Sequence, residues 1–227
     1  MKVCSFSDMH GNLDFNVEPC DIVLICGDIT PLSIQSNMIK SEEWMITTFI
    51  PWCQNLPSDK VIFIGGNHDW FLYNKPNRIK ELLKEQDKVI YLDCELYEYN
   101  GVKIFGTPIC KIFGNWAFME TQEEQNTKYD RYLKTINDVD ILISHDAPYG
   151  VSDIVLQEDC WWAGEHIGNP ALRDFIEKLQ PRVCFHGHLH STNHGMEKLL
   201  ETEVYNVSLL NEYYKLIYEP LIFDYDY

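Results

Sequence analysis

An α/β fold is what this sequence predicts. Short apolar runs recur along the chain, helical stretches with recognisable start signals lie between them, and each run ends in a polar or glycine-containing turn. Runs of this length, rich in Val, Ile and Phe, are the mark of strands buried on both faces.

Residues 3–7 and 21–26 form the first two predicted strands, and a helix is predicted over 41–56 with Ser41 as cap and Glu43 in its first turn. Pro51 lacks an amide hydrogen and crowds the preceding turn, so it should kink or divide that helix. A strand at 61–64, a helix at 76–85 and a strand at 102–105 come next. The helix predicted over 121–136 opens on Thr121 and Glu124, a capping box in which hydroxyl and carboxylate satisfy each other's backbone amides. Strand 141–144, a helix at 170–179 after Asn169 as cap, and strand 183–186 complete the alternation. Residues 204–207 and 213–218 read as two further, partly alternating strands. With no internal repeat and no linker-like stretch, a single domain over residues 1–227 is expected.

At 45% hydrophobic residues, with only 12 Gly and 10 Pro, the composition excludes disorder and low-complexity structure. The formal charge of −17 repels polyphosphate backbones, so long nucleic acids are disfavoured as partners. Most of these carboxylates are read as serving solubility. No apolar run reaches bilayer length, so no membrane partner is expected. The run at residues 1–7 is too short for a secretory signal, and a cytoplasmic location is expected. Eight cysteines without a CxxC pair fit reduced core residues and carry no functional role.

Asp8, Asp28, Asn67, His145 and His188 each fall within a few residues after a predicted buried strand. In open α/β sheets that is where loops converge and ligands bind. The segments concerned are Asp8-Met9-His10-Gly11-Asn12, Gly27-Asp28, Gly66-Asn67-His68-Asp69, Ser144-His145-Asp146 and Gly187-His188-Leu189-His190. Any one of them is an ordinary turn or a structural histidine. Together they offer carboxylate, amide oxygen and imidazole on strand ends, the donor types that a pair of divalent cations requires.

Their order, D-x-H, G-D, G-N-H-[DE], H and G-H-x-H, resembles the signature of the calcineurin-like metallophosphoesterase superfamily from Asp8 to His190. That resemblance implies two mixed β-sheets packed face to face and flanked by helices, a four-layer sandwich. It implies that Asp8, His10 and His190 hold one metal and Asn67, His145 and His188 the other, with Asp28 bridging. His68 would not ligate; it would protonate the leaving alkoxide or steady the transition state, its imidazole oriented by Asp69. Two divalent ions, manganese favoured over iron or zinc, would then generate a bridging hydroxide for in-line attack on a small phosphate ester.

Ile29-Thr30-Pro31 stands where Ser/Thr protein phosphatases carry Asp-Arg-Gly. The stretches 21–30, 41–56, 106–108 and 168–190 are similar instead to the small metallophosphoesterase-domain proteins with cyclic-nucleotide phosphodiesterase activity. A phosphodiesterase of small substrates is therefore expected. The alternatives are a phosphomonoesterase or protein phosphatase with the same centre, and a protein-binding scaffold on the same fold. Phe113, Trp116 and Phe118, and the pair Trp161-Trp162, could stack on a base but are read as edge packing. His186 and His194 are read as structural.

Overall fold

A computed structural model of the chain describes residues 1–226. Its first sheet holds β1 (Lys2–Phe6), β2 (Cys20–Ile25), β3 (Ser58–Phe63), β4 (Val89–Tyr91) and β13 (Leu221–Asp224), in the order β13-β1-β2-β3-β4. The four strands from β1 to β4 are parallel, and β13 closes the edge antiparallel to β1. The second sheet holds β5 (Glu95–Tyr99), β6 (Val102–Thr107), β9 (Ile141–Ser144), β10 (Val183–His186), β11 (Glu197–Leu199) and β12 (Thr202–Asn206), in the order β11-β12-β10-β9-β6-β5. Its parallel centre is flanked by antiparallel edges. A two-stranded ladder, β7 (Cys110–Lys111) with β8 (Met119–Glu120), lies outside both.

Side-chain alternation explains the layers. Val3, Ile22, Leu24, Ile62 and Ile64 pack against Ile104, Ile141, Ile143, Val183 and Phe185 in the core between the sheets. The intervening residues Phe6, Val23, Ile25 and Phe63 face the other way, onto α1 (Met38–Trp44), α2 (Ile50–Asn55), the turn Met45–Phe49 between them, α3 (Trp70–Asn74) and α4 (Pro76–Leu83), through Met45, Phe49, Cys53, Phe71 and Ile79. On the far side Phe105, Leu142 and Cys184 meet Tyr129, Leu172, Phe175 and Ile176 of α5 (Gln122–Tyr132) and α6 (Pro170–Leu179). Strands buried on both faces need apolar residues at every position, which is why they read as unbroken runs. The result is the expected sandwich of helix, sheet, sheet and helix layers.

Several local expectations are corrected. The first helix starts before Ser41: Asn37 caps it through the Lys40 amide, and the buried Ser41 hydroxyl donates to the Ile34 carbonyl. Pro51 divides the segment as expected, the break being a π turn at Met45–Phe49. Residues 213–218 are not a strand. The Asn211 side chain accepts from the Tyr213 and Lys215 amides and Tyr214 takes φ 57°, so the chain curls, and the edge strand comes later as β13. The Thr121–Glu124 capping box and the Asn169 cap form as expected. Among the described residues no helix is long and apolar enough to cross a membrane.

The exposed capping box supports α5, which carries Gln125 and Tyr129 into the core. Thr121→Ala should cost about 1 kcal/mol, read as a lower urea midpoint at unchanged slope; an unshifted midpoint would show that packing alone holds this helix.

Candidate metal centre

Asp8 follows β1 and Asp28 follows β2, so two neighbouring parallel strands deliver two carboxylates to the same end of the sheet. Both are essentially buried, at 0% and 2% exposure. Asn67 follows β3, while His145 and His188 follow β9 and β10 of the second sheet. The backbone is strained to achieve this: Asp8 (φ 56°), His10 (44°), Asp28 (51°) and His188 (71°) all occupy the left-handed region. Each such residue costs on the order of 1 kcal/mol or more, and strain of this kind concentrates at functional sites. Gly66 leaves no room for a side chain, because a Cβ there would meet the Asp28 amide nitrogen at 2.5 Å and His145 Cε1 at 2.6 Å.

The donor atoms converge. His190 Nε2 lies 3.3 Å from Asp8 Oδ1, and His145 Nε2 lies 3.0 Å from Asn67 Oδ1 and 3.4 Å from Asp28 Oδ2. His10 Nε2 is 3.7 Å from Asp28 Oδ2. Two groups could each hold a metal ion, Asp8 with His10 and His190, and Asp8 with Asp28 and His145, their donor atoms lying within 4.8 Å of one another. The His188 ring sits 5.1 Å from that of His145, and its backbone amide donates to Asp8. Nitrogen and oxygen donors without a thiolate suit first-row divalent cations.

Three imidazoles show how such an ion would fit. His145 Nδ1 bonds the Cys26 carbonyl at 2.8 Å and His190 Nδ1 bonds the Asn211 carbonyl at 2.9 Å. A carbonyl only accepts, so Nδ1 carries the hydrogen and Nε2 is turned to the carboxylates, the usual arrangement of a ligating histidine. Among the described residues, neither of the buried ring nitrogens of His10 has a hydrogen-bond partner. A buried polar atom left unpaired is costly, and a cation between His10 and its carboxylate neighbours would remove the deficit.

Charge follows the same geometry. Burial pushes the Asp28 carboxyl up, but the charges of His145 and His68 outweigh it and hold the group below the usual carboxylate range. Asp8 behaves alike, burial being overcome by its bond to His190. Burial lowers His145, yet the Asp28 charge and hydrogen bond raise it to about 10. His10 and His188, depressed chiefly by burial, fall to about 4 and about 3.

His68 projects into a cleft of about 370 Å³ that Asp28, Asn67, His188 and His190 also line. Its ring is not oriented by Asp69. Gln35 Oε1 holds His68 Nδ1, while buried Asp69 accepts from the amides of Ile29, Thr30 and Gly66 and from the Thr30 hydroxyl. Asp69 therefore ties two site loops together. Gln35 was missed because it belongs to a turn-rich loop with no periodicity and meets His68 across 33 residues.

Phe113 and Trp116 line the cleft, with Trp116 4.6 Å from the His68 ring and Phe113 5.2 Å from that of His188. Phe118 is core, as is His186, whereas Trp161 and Trp162 are exposed away from the cleft lining. Tyr214, packed 5.0 Å from His10 and 5.4 Å from His190, had no sequence signal.

A two-sheet α/β sandwich with Asp, Asn and His donors gathered at its strand ends is the architecture of a metal-dependent phosphoesterase. The chain belongs to the calcineurin-like phosphoesterase family, whose model matches residues 1–192. It is 25% identical over 240 residues to human metallophosphoesterase domain-containing protein 1, covering 96% of this chain and 69% of that one. A UPF0046 protein of Caenorhabditis elegans is 26% identical over 91% of the chain, which spans only 54% of that relative's length. Human lariat debranching enzyme is 23% identical over 84% of the chain and 42% of its own. Among solved structures, the Thermus thermophilus protein TT1561 superposes with a TM-score of 0.56 at 11% identity, covering 90% of this chain and 88% of that one.

Ligating imidazole nitrogens are unprotonated, yet metal-free His145 holds its proton up to about pH 10. Loading metal at neutral pH should therefore release a proton, and affinity should weaken as pH falls. Titration calorimetry in buffers of different ionisation enthalpy reads this directly; a heat independent of buffer would exclude His145 as a ligand.

Proposed function

We propose that the chain is a binuclear metal-dependent phosphodiesterase acting on small phosphodiesters, cyclic nucleotides among the candidates. The observation that carries it is the convergence of seven candidate donor side chains from the strand ends of both sheets, four of which, Asp28, Asn67, His188 and His190, line one cleft with His68. Asp8, His10 and His190 would hold one ion, Asn67, His145 and His188 the other, and Asp28 would lie between them; such N and O donors accept manganese, iron or zinc, and we take manganese from the family resemblance. When bound, such ions acidify water and neutralise charge developing on phosphoryl oxygens.

The protein residues supply the rest. Asp8 is fixed by the His188 amide and the Ser208 hydroxyl, and Asp28 by the His68 amide, so neither carboxylate rotates freely. With Nδ1–H bonded to Gln35, His68 acts through Nε2, which lies 3.9 Å from Asp28 Oδ2. From that position the ring would donate a proton to the departing alkoxide oxygen. Trp116 against the ring limits its rotation.

Phosphodiesterase-type relatives such as the lariat debranching enzymes support a diester substrate. The charge of −17 argues against a long nucleic acid and for a small substrate. We assign the activity to a single domain, in the cytoplasm and without a membrane partner.

Metal-stripped protein given Mn²⁺ should hydrolyse bis(p-nitrophenyl) phosphate faster than p-nitrophenyl phosphate. His68→Ala should lower kcat by about a hundredfold or more while bound metal, counted by elemental analysis, stays at the wild-type level. Gln35→Ala should produce a smaller loss of the same kind. Monoester preference would move the assignment to a phosphatase, and loss of metal in the His68 variant would make it a ligand.

A further inference from the structure

Outside the donor set, the walls of the cleft are Phe113, Trp116, Leu189, Ser191, Glu212 and Tyr214. Among the described residues neither Lys nor Arg lines it. The same holds for the smaller hollow of about 160 Å³ beside it, which shares Ser191 and Glu212. A substrate bearing a second phosphate would meet no Lys or Arg in the lining and would meet the Glu212 carboxylate instead. Among the described residues no hydrogen bond or ion pair holds that carboxylate. Lys215, on the same turn, is exposed and outside the lining.

Glu212 is nevertheless well placed. Asn211 Oδ1 accepts from the Tyr213 and Lys215 amides, and the Asn211 carbonyl accepts from His190 Nδ1. The turn that presents Glu212 is thus the one that orients a candidate ligand. A carboxylate that lines one cleft with Phe113, Trp116 and Tyr214 is a setting for an ammonium group, which gains from both the charge and the aromatic rings. Long-range electrostatics point the same way: a chain of −17 repels an anion, while a phosphodiester carrying an ammonium has no net charge.

We propose that the cleft selects zwitterionic phosphodiesters, one phosphate joined to an ammonium-bearing alcohol, and that Glu212 is the specificity-determining residue that pairs with the cation. This rests on the phosphodiesterase reading above.

The test uses two esters with one leaving group and nearly one shape, p-nitrophenyl phosphorylcholine and p-nitrophenyl 3,3-dimethylbutyl phosphate, in which carbon replaces the charged nitrogen. The Mn²⁺-loaded full chain should favour the choline ester by roughly tenfold in kcat/KM, mostly through KM. Glu212→Gln should bring the ratio near one and Glu212→Lys should invert it. Equal use of both esters by the wild type, or a ratio unmoved in Glu212→Gln, overturns the inference. Cleavage of bis(p-nitrophenyl) phosphate without cleavage of the choline ester overturns it as well, while leaving the phosphodiesterase reading intact. Failure to cleave any of the three overturns that reading.

Discussion

Two carboxylates buried side by side, Asp8 and Asp28, are the constraint on which the rest of this structure depends. Removing a charge from water costs several kcal/mol unless hydrogen bonds and countercharge replace the lost solvation. Here the replacements come from far along the chain: the His188 amide and the Ser208 hydroxyl for Asp8, the His68 amide and the His145 imidazole for Asp28. Satisfying two side chains therefore draws the ends of β1, β2, β3, β9 and β10 to one place. The left-handed backbone at Asp8, His10, Asp28 and His188 is the local cost of that convergence.

Buried aspartates recur as loop ties. Asp69 joins the loop after β2 to the loop after β3, and Asp146 accepts from the Lys111 amide and the Asn169 side chain. Asp153 takes the amides of Gly150 and Gly168 and pairs with His166. Part of the acidic excess is thus structural. Carboxylates suit this task because one group accepts several N–H bonds at once, holding irregular backbone that has no ladder partner of its own.

What could be read from sequence follows the same physics. Strands β1, β2, β3, β9 and β10 were legible because burial on both faces keeps their central positions mostly apolar, and the donor residues were legible because each sits just past such a run. Caps at Thr121 and Asn169 were legible because their bonds close within three residues. Contacts that close only in three dimensions were not. Gln35 holds His68, Asp69 faces away from it, and Asn37 rather than Ser41 caps α1, all within loops whose composition suits many conformations. Residues 213–218 have the aromatic and β-branched content of a strand, but side-chain bonds from Asn211 close a turn first.

That turn also shows how chemistry and selectivity are divided. The candidate ligands stand on strand ends locked by the two-sheet core, whereas Phe113, Trp116, Glu212 and Tyr214 stand on loops. Rigid elements hold reactive geometry, and loops tolerate change, so the cleft walls can vary without disturbing the donors. On the proposed reading, two carboxylates, one amide and four imidazoles would not neutralise two divalent cations, and a loaded centre would be net positive inside a strongly acidic protein. Attraction for phosphate then acts only at short range, while the surrounding field opposes the approach of any net anion. On the proposed reading, a substrate neutral overall and anionic only at its phosphate would satisfy both, and the charge of the whole chain would then bear on what one small cleft admits.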